Sequence, residues 1–511
     1  MKRKKVAWLL TVGLLVGVLA ACSNQSGGDE NSNESITFSW LVYDRPEGKV
    51  RTDWEIFKEI KEKTGVSIEF NIVSQEGLTE KKQIMIATNT PTDFINVSMQ
   101  DAREHGPENI FLNLKQYFDR APNLKKFFDE NAEARAVATG ADGGIYAVPV
   151  LEGDVEGKGF NFVWYIRKDL MDKYHLQAPK TLDEFYELLK AFKQREPDTY
   201  PLTANAIVGD TGLYTTFGRA FTGIHGFFNL DPETDTYAFA PYHDGYKEML
   251  VFLNKLYAEK LLDPEFSLIT QAQWEERMLT GKSVVTYFWK ADMETIIDKA
   301  RQAGNAEYDL DVIPMFAADG IKPYQFSRPV IGGSGLAIAA KVKDKERAVK
   351  FLDYLKSEEG TNYLSLGIEG KTYMIEDGKP VFNPEFGTSP FTVLRKDWGV
   401  WYDQITLNNA LSREVWERGL SEKSKDINAR YAEFIVPAPK QIVKTDEELE
   451  LEKSKLNNLN KYLEQKVTEF VTGKTPINDS TYREFINQAK KLGSDELLEM
   501  YNTAYKRTYG K

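Results

Sequence analysis

Ile36-Thr37-Phe38-Ser39-Trp40-Leu41-Val42, a charged stretch from Thr52 to Lys63, Gly65, and then Val66-Ser67-Ile68-Glu69-Phe70-Asn71-Ile72 form the segment on which the fold class turns. Ile36, Phe38, Trp40 and Val42 alternate with smaller or polar residues, the period of two that sends successive side chains to opposite faces of a strand. Thr52 to Lys63 reads as a helix, and Val66 to Ile72 as a second strand. Strand, helix, strand is a βαβ unit, which implies a parallel sheet and an α/β fold.

Downstream the pattern continues. Thr181 and Glu184 form a T-x-x-E capping box, after which Leu182, Phe185, Leu188, Leu189 and Phe192 share one helical face. Further helices are expected at Tyr246 to Lys260, at Lys345 to Glu359 with Gly360 closing it, and at Ser494 to Arg507. Strands are expected at Asn161 to Arg167, Ser283 to Trp289 and Ser334 to Ala340. Repeats of 20 to 50 residues, the mark of solenoids and propellers, are not apparent.

Upstream lies a different kind of sequence. Lys2, Arg3, Lys4 and Lys5 precede the apolar run Val6 to Leu19, which is shorter than the roughly 17 to 25 residues needed to cross a bilayer. Residues 1–21 therefore read as an export signal. It ends in Leu19-Ala20-Ala21-Cys22, which resembles a bacterial lipobox, and Cys22 is the single cysteine of the chain. The expectation is that Cys22 is acylated and becomes the mature N-terminus, anchoring the protein on the extracellular face of the cell membrane. With that thiol occupied, no disulfide, cysteine nucleophile or thiolate metal site is expected. Residues 22–35 continue as a tether, because Ser23 to Ser35 contains no apolar residue and cannot pack.

The 511 residues, 42% hydrophobic and 28% charged, are enough for roughly three domain-sized units or two large lobes and have the composition of ordinary globular proteins. The formal charge is −12, and it falls to −16 when the four cations at positions 2 to 5 leave with the signal. Such a surface repels phosphate backbones, so nucleic acid is not an expected partner. The 9 Trp, 25 Tyr and 29 Phe allow both a large core and flat faces for stacking on a ligand.

Catalytic motifs fail on inspection. Gly281-Lys282-Ser283, Gly370-Lys371-Thr372 and Gly473-Lys474-Thr475 lack the upstream glycine of a phosphate-binding loop, since Glu276, Ser365 and Thr468 stand there. Gly332-Gly333-Ser334-Gly335 reads as a flexible entry to a strand. His105, His175, His225 and His243 show no zinc-binding spacing. Glycosidase chemistry needs only two carboxylates, and 77 acidic residues leave that class open.

The residues from Lys58 onward resemble the extracellular solute-binding proteins of family 1 that serve carbohydrate ABC importers, in the long lipoprotein branch of Gram-positive bacteria. The likeness rests on Glu62-Lys63-Thr64-Gly65-Val66, Gly143-Gly144-Ile145-Tyr146-Ala147-Val148-Pro149, Ile166-Arg167-Lys168-Asp169-Leu170 and the helix Thr181 to Lys193. It continues through Leu256 to Phe266, Ala348 to Gly360, Gly367 to Tyr373 and the end of the chain from Thr472-Gly473-Lys474-Thr475-Pro476-Ile477 through Arg507.

That resemblance implies a two-lobed clamshell, with 36–150 plus about 334–380 as lobe 1 and 151–333 plus about 381–511 as lobe 2. Crossings are expected at Pro149 to Phe160, where Gly153, Gly157 and Gly159 can absorb dihedral change, and at Phe326 to Gly333. It implies a monomeric, non-enzymatic receptor that captures an oligosaccharide between its lobes and delivers it to an ABC permease. By the same likeness Trp289, Arg328, Trp398, Trp401 and Tyr402 contact sugar, joined by Trp40, Tyr43 and Arg45 where the first strand runs out. Each aromatic also has a reading as core, and Trp164 and Trp274 are assigned there. Many long members carry a calcium loop after the helix corresponding to Thr181 to Lys193; here Glu196 and Asp198 supply too few oxygens, so no metal or other cofactor is expected. Two other functions stay open: a cell-surface polysaccharide-degrading enzyme, and a receptor for a non-sugar solute such as a peptide.

Overall fold

The computed structural model describes residues 35–45, 48–75, 77–153, 159–387, 390–402 and 404–510. The signal 1–21, Cys22 and the tether to residue 34 lie outside the described residues, as does Gly157. Eight strands carry the architecture: β1 (Ile36–Asp44), β2 (Val66–Ser74), β3 (Phe94–Ser98), β4 (Val148–Leu151), β5 (Phe162–Arg167), β6 (Val285–Trp289), β7 (Leu310–Ile313) and β8 (Ile331–Ile338).

The βαβ unit forms as its periodicity implies. β1 and β2 pair in parallel from Ile36 opposite Val66 to Asp44 opposite Ser74, with helix Glu55–Thr64 between them. Gly65 ends that helix at φ 68°, a left-handed conformation that costs glycine little, and its N–H caps the Lys61 carbonyl. β3 joins the other edge of β1 in parallel, and β8 inserts antiparallel between β3 and β4, giving the order β2-β1-β3-β8-β4. The sheet is thus mixed. Gly335 lies inside β8, where a Cβ would stand 2.4 Å from the Val148 carbonyl oxygen, and the β4 pairing shifts register there. The glycine run is therefore part of a bulged, closely paired strand and not a flexible entry.

The second sheet has the order β6-β5-β7, all antiparallel. Two separate hydrophobic cores surround the two sheets. One gathers Phe38, Trp40, Phe94, Leu336 and Leu352, and the other Trp164, Phe185, Phe217, Trp274 and Leu463. The helix Leu182–Arg195 buries the apolar stripe expected of it. Its capping box is only half formed: Thr181 Oγ1 accepts from the Glu184 N–H, but the Glu184 carboxylate accepts from Lys180. Complete boxes occur at Thr270/Gln273 and Thr445/Glu448.

Two boundaries are corrected. Lys345–Leu355 ends before Gly360, and Ser357 caps a new helix, Glu358–Ser365, which packs so closely that a Cβ on Gly360 would meet the Tyr354 carbonyl. More consequentially, Phe382, Leu394, Val400, Tyr402 and Val415 belong to the first core, and the second resumes at Ile427 and Tyr431. The stretch from about 381, expected in lobe 2, is held in lobe 1: the Tyr402 hydroxyl donates to the Tyr43 carbonyl at 2.6 Å, and Trp54 Nε1 to the Lys396 carbonyl at 2.9 Å. The chain crosses for the third time between Val415 and Ile427.

A candidate ligand site at the lobe junction

The first two crossing segments run side by side, and the strand Ile435–Val436, just beyond the third, joins them. The Arg328 N–H donates to the Gly159 carbonyl at 2.8 Å, Glu152 N–H to Val330 at 2.9 Å, and Ser327 N–H to Val436 at 2.7 Å. Gln325–Phe326 pairs in parallel with Ile435–Val436. At Gly153 a Cβ would lie 2.8 Å from the Pro329 carbonyl oxygen, so glycine permits this close approach.

Beside these crossings β6 ends in Trp289, the one aromatic among the large hydrophobics that stand exposed in the described residues, at 41%. Its ring meets Phe162 edge-on at 4.5 Å. The next residue, Lys290, donates its backbone N–H to the Asn161 carbonyl at 2.7 Å, and the Asn161 side chain accepts from Arg328 Nε. Asn161, Phe162 and Arg328, though not Trp289 or Lys290, also line a pocket of about 390 Å³ together with Asp210, His225, Asn229 and Lys440.

A buried polar network supports it. Arg219, 3% exposed, donates to Gln325 Oε1 at 3.0 Å and to the Tyr287 hydroxyl at 3.1 Å. Its NH1 also reaches His225 Nδ1 at 3.4 Å, and His225 Nε2 lies 3.1 Å from Asp210 Oδ1. Because guanidinium only donates, Nδ1 is the acceptor and Nε2–H the donor to Asp210, which is the neutral tautomer. Burial lowers the His225 pKa in the same sense, the Asp210 bond opposing and Arg219 adding to it. The hydrogen bond from His225 in turn holds the Asp210 carboxyl below its usual range.

Other expected residues fall elsewhere. Trp40 is fully buried, 5.4 Å from the Phe94 ring, and packs; the expectation that it contacts ligand is corrected by its place on a strand covered on both faces. Tyr402, also 0% exposed, is a core residue whose hydroxyl is spent on the Tyr43 and Gly48 carbonyls. Tyr43 is buried with it, and Arg45 NH2 donates to the Tyr43 hydroxyl at 2.9 Å. Arg45 lines a different pocket, of about 430 Å³, with Asp44, Ser74 and Gln75. Trp398 is half-buried against the first core. Trp401 sits at φ 62°, a strained conformation for a bulky residue, with its N–H bonded to the Leu364 carbonyl. One of its faces is taken by Phe391, stacked at 4.0 Å.

Arg413 stands 5.5 Å from the Trp401 ring centre and 3.4 Å from Glu152, which also accepts from Asn409 at 2.9 Å. Sequence reading missed Asn161, Asp210, His225, Lys290 and Arg413. Only Asn161 and Lys290, at the start of one expected strand and directly after the end of another, had a position that could have marked them. Glu196, considered above for calcium, accepts from the Tyr174 hydroxyl and pairs with Lys173. Among the described residues no helix is long and apolar enough to cross a membrane.

Two sheet-centred lobes, paired crossings and a polar, aromatic-edged pocket beside them define a binding protein of the clamshell class. Residues 48–362 match the bacterial extracellular solute-binding protein family, and the chain belongs to it. It is 28% identical over 344 residues to the fructooligosaccharide ABC transporter substrate-binding protein FusA of Streptococcus pneumoniae; that match spans 61% of each chain. Over 98% of this chain and 99% of the other, it is 22% identical to the polygalacturonan/rhamnogalacturonan-binding protein YtcQ of Bacillus subtilis. In structure it is similar to an HMO-binding solute-binding protein from Bifidobacterium longum infantis, with a TM-score of 0.76, 20% identity and coverage of 94% and 99% of the two chains.

Proposed function

We propose that this chain is the extracellular receptor of an ABC importer, lipid-anchored through Cys22, that captures an oligosaccharide at the lobe junction and passes it to a membrane permease without covalent chemistry. The observation that carries this reading is Trp289, an open indole beside the crossings with Asn161 and Arg328 next to it. Pyranose rings have apolar C–H faces and hydroxyl rims, so an exposed aromatic plate bordered by amide and guanidinium suits them. The names of FusA and YtcQ support a sugar ligand. Within this reading Trp289 and Arg328 contact ligand, Trp398 and Trp401 stand at its margin, and Arg45 belongs to a peripheral pocket.

Calorimetric titration with an oligosaccharide panel tests this, with product analysis of the same mixtures. Binding with no new products is the expected outcome. Cleavage would convert the reading to a hydrolase, and binding of peptides alone would move it to another solute class. Cys22→Ala is expected to release the protein from the membrane fraction, and unchanged fractionation would refute the anchor.

A further inference from the structure

Resting on the solute-binding reading above, we infer that the junction takes an oligosaccharide bearing a carboxylate, a uronate, received by Arg413 from the first lobe and Lys290 from the second with the Trp401 indole N–H beside them. Three observations converge. Arg413 has Nε and NH1 buried with no partner, and its NH2 reaches Glu152 only at 3.4 Å. The indole nitrogen of Trp401, whose ring centre is 5.5 Å from that guanidinium, is likewise buried and unpartnered. Buried donors left unsatisfied are costly, and three N–H groups gathered in one place call for an acceptor-rich occupant.

Charge separates a carboxylate from a hydroxyl or a water. Lys290 is 6% exposed, lies 4.0 Å over the Phe160 ring and makes a 2.5 Å bond to the neutral Asn428 side chain; no described carboxylate forms an ion pair with it. Arg328 and Arg413 are near enough that both disfavour its protonated form, while Glu417 opposes them. Two guanidinium cations and an amine that they hold back from protonation therefore crowd a junction whose named acids are Glu152 and Glu417, in a chain whose formal charge is −12. An anion entering there relieves the repulsion and gains charge-assisted hydrogen bonds, which are about twice as strong as neutral ones.

The test is calorimetric titration of the full chain with galacturonan, alginate and glucuronoxylan oligomers, each beside its carboxyl-reduced twin. At least one uronide is expected to bind about tenfold or more tightly than its twin, the scale of one good charge-assisted contact. Arg413→Gln is expected to shrink that ratio toward one, and Lys290→Met reads the same ratio from the other lobe should Arg413→Gln not fold. Twins binding as well as the uronides, or neutral oligosaccharides binding alone, would overturn the inference and leave the sugar reading standing. A preference retained in both variants would overturn the assignment to this junction. If no oligosaccharide of either kind bound, the sugar reading would fall with it.

Discussion

The end of β6 and the turn from Leu394 to Tyr402 carry the same residue types and differ in what covers them. At β6 the chain turns away after Trp289, Phe162 is the one aromatic ring that meets its indole among the described residues, and the residue stays 41% exposed. At the turn, Gly399 at φ 71° lies against the Trp54 ring, Trp401 is stacked on Phe391, and Tyr402 is driven under β1 to bond the Tyr43 carbonyl. Aromatic type and loop position do not distinguish a ligand plate from a wedge; the number of neighbours that close over the ring does.

The sharpest way to break that contrast is Tyr402→Ala. Truncating a fully buried aromatic costs about 3 to 5 kcal/mol, against a total stability of roughly 5 to 15 kcal/mol, so thermal melting should fall steeply. Trp289→Ala should cost less than about 1 kcal/mol by the same measurement. Equal losses in the two variants would show that the open and sealed regions do not differ in kind.

Lys290 extends the comparison to charge. Burial first, then Arg328, brings its pKa from 10.5 down to about 7. Between those values the unfolded chain holds a proton that the folded chain has shed, so this site penalises folding as pH falls through the window; the penalty is full below about pH 7 and absent above about 10.5. Lys290→Met, which also gives up the bond to Asn428, should therefore gain on the order of 2 kcal/mol at pH 6, fading toward pH 10. A gain independent of pH would mean that packing, and not the charge, sets the cost.

A smaller effect is expected in binding. Loss of one stacked ring should weaken oligosaccharide affinity about tenfold in Trp289→Ala, because 1.4 kcal/mol is a factor of ten. Trp401→Phe should change affinity for neutral sugars less than threefold, since the Phe391 stack is retained and one face is already covered. The reverse ranking would restore Trp401 as the platform.

Much of the frame was legible because local pattern and tertiary structure agree there. The alternation of Ile36 to Val42, the helix after it and the capped face of Leu182 to Phe192 all depend on neighbours in sequence. Trp40 was misjudged because a period of two says which residues share a face, and not that other parts of the first core close over that face. The third crossing was misplaced because the segment between Val415 and Ile427 has no compositional break; what assigns Leu394 to Val415 to lobe 1 is contact with β1 and Trp54, hundreds of residues away in sequence. The junction's polar set was unreadable for a related reason: Asn161, Asp210, Lys290 and Arg413 come from four distant segments, and only the crossings bring them near one another.

The mildest probe of the sealed region is Tyr402→Phe, which keeps the ring and removes only the hydroxyl. That oxygen donates to the Tyr43 carbonyl at 2.6 Å and also lies 3.2 Å from the Gly48 carbonyl, so it ties the turn to the end of β1 from both sides of the strand's exit. Burial raises its pKa to about 12, and the hydroxyl stays protonated and donating across the physiological range. Removing one net hydrogen bond costs about 1 kcal/mol, somewhat more when it leaves a buried acceptor unsatisfied. The expected loss is therefore about 1 to 2 kcal/mol in chemical denaturation, with affinity for ligand unchanged, because Tyr402 is not exposed to it. Should affinity drop while stability holds, the turn would be positioning ligand-facing groups through Tyr43 and Arg45, and the boundary drawn between sealed and open aromatics would have to be moved to include them.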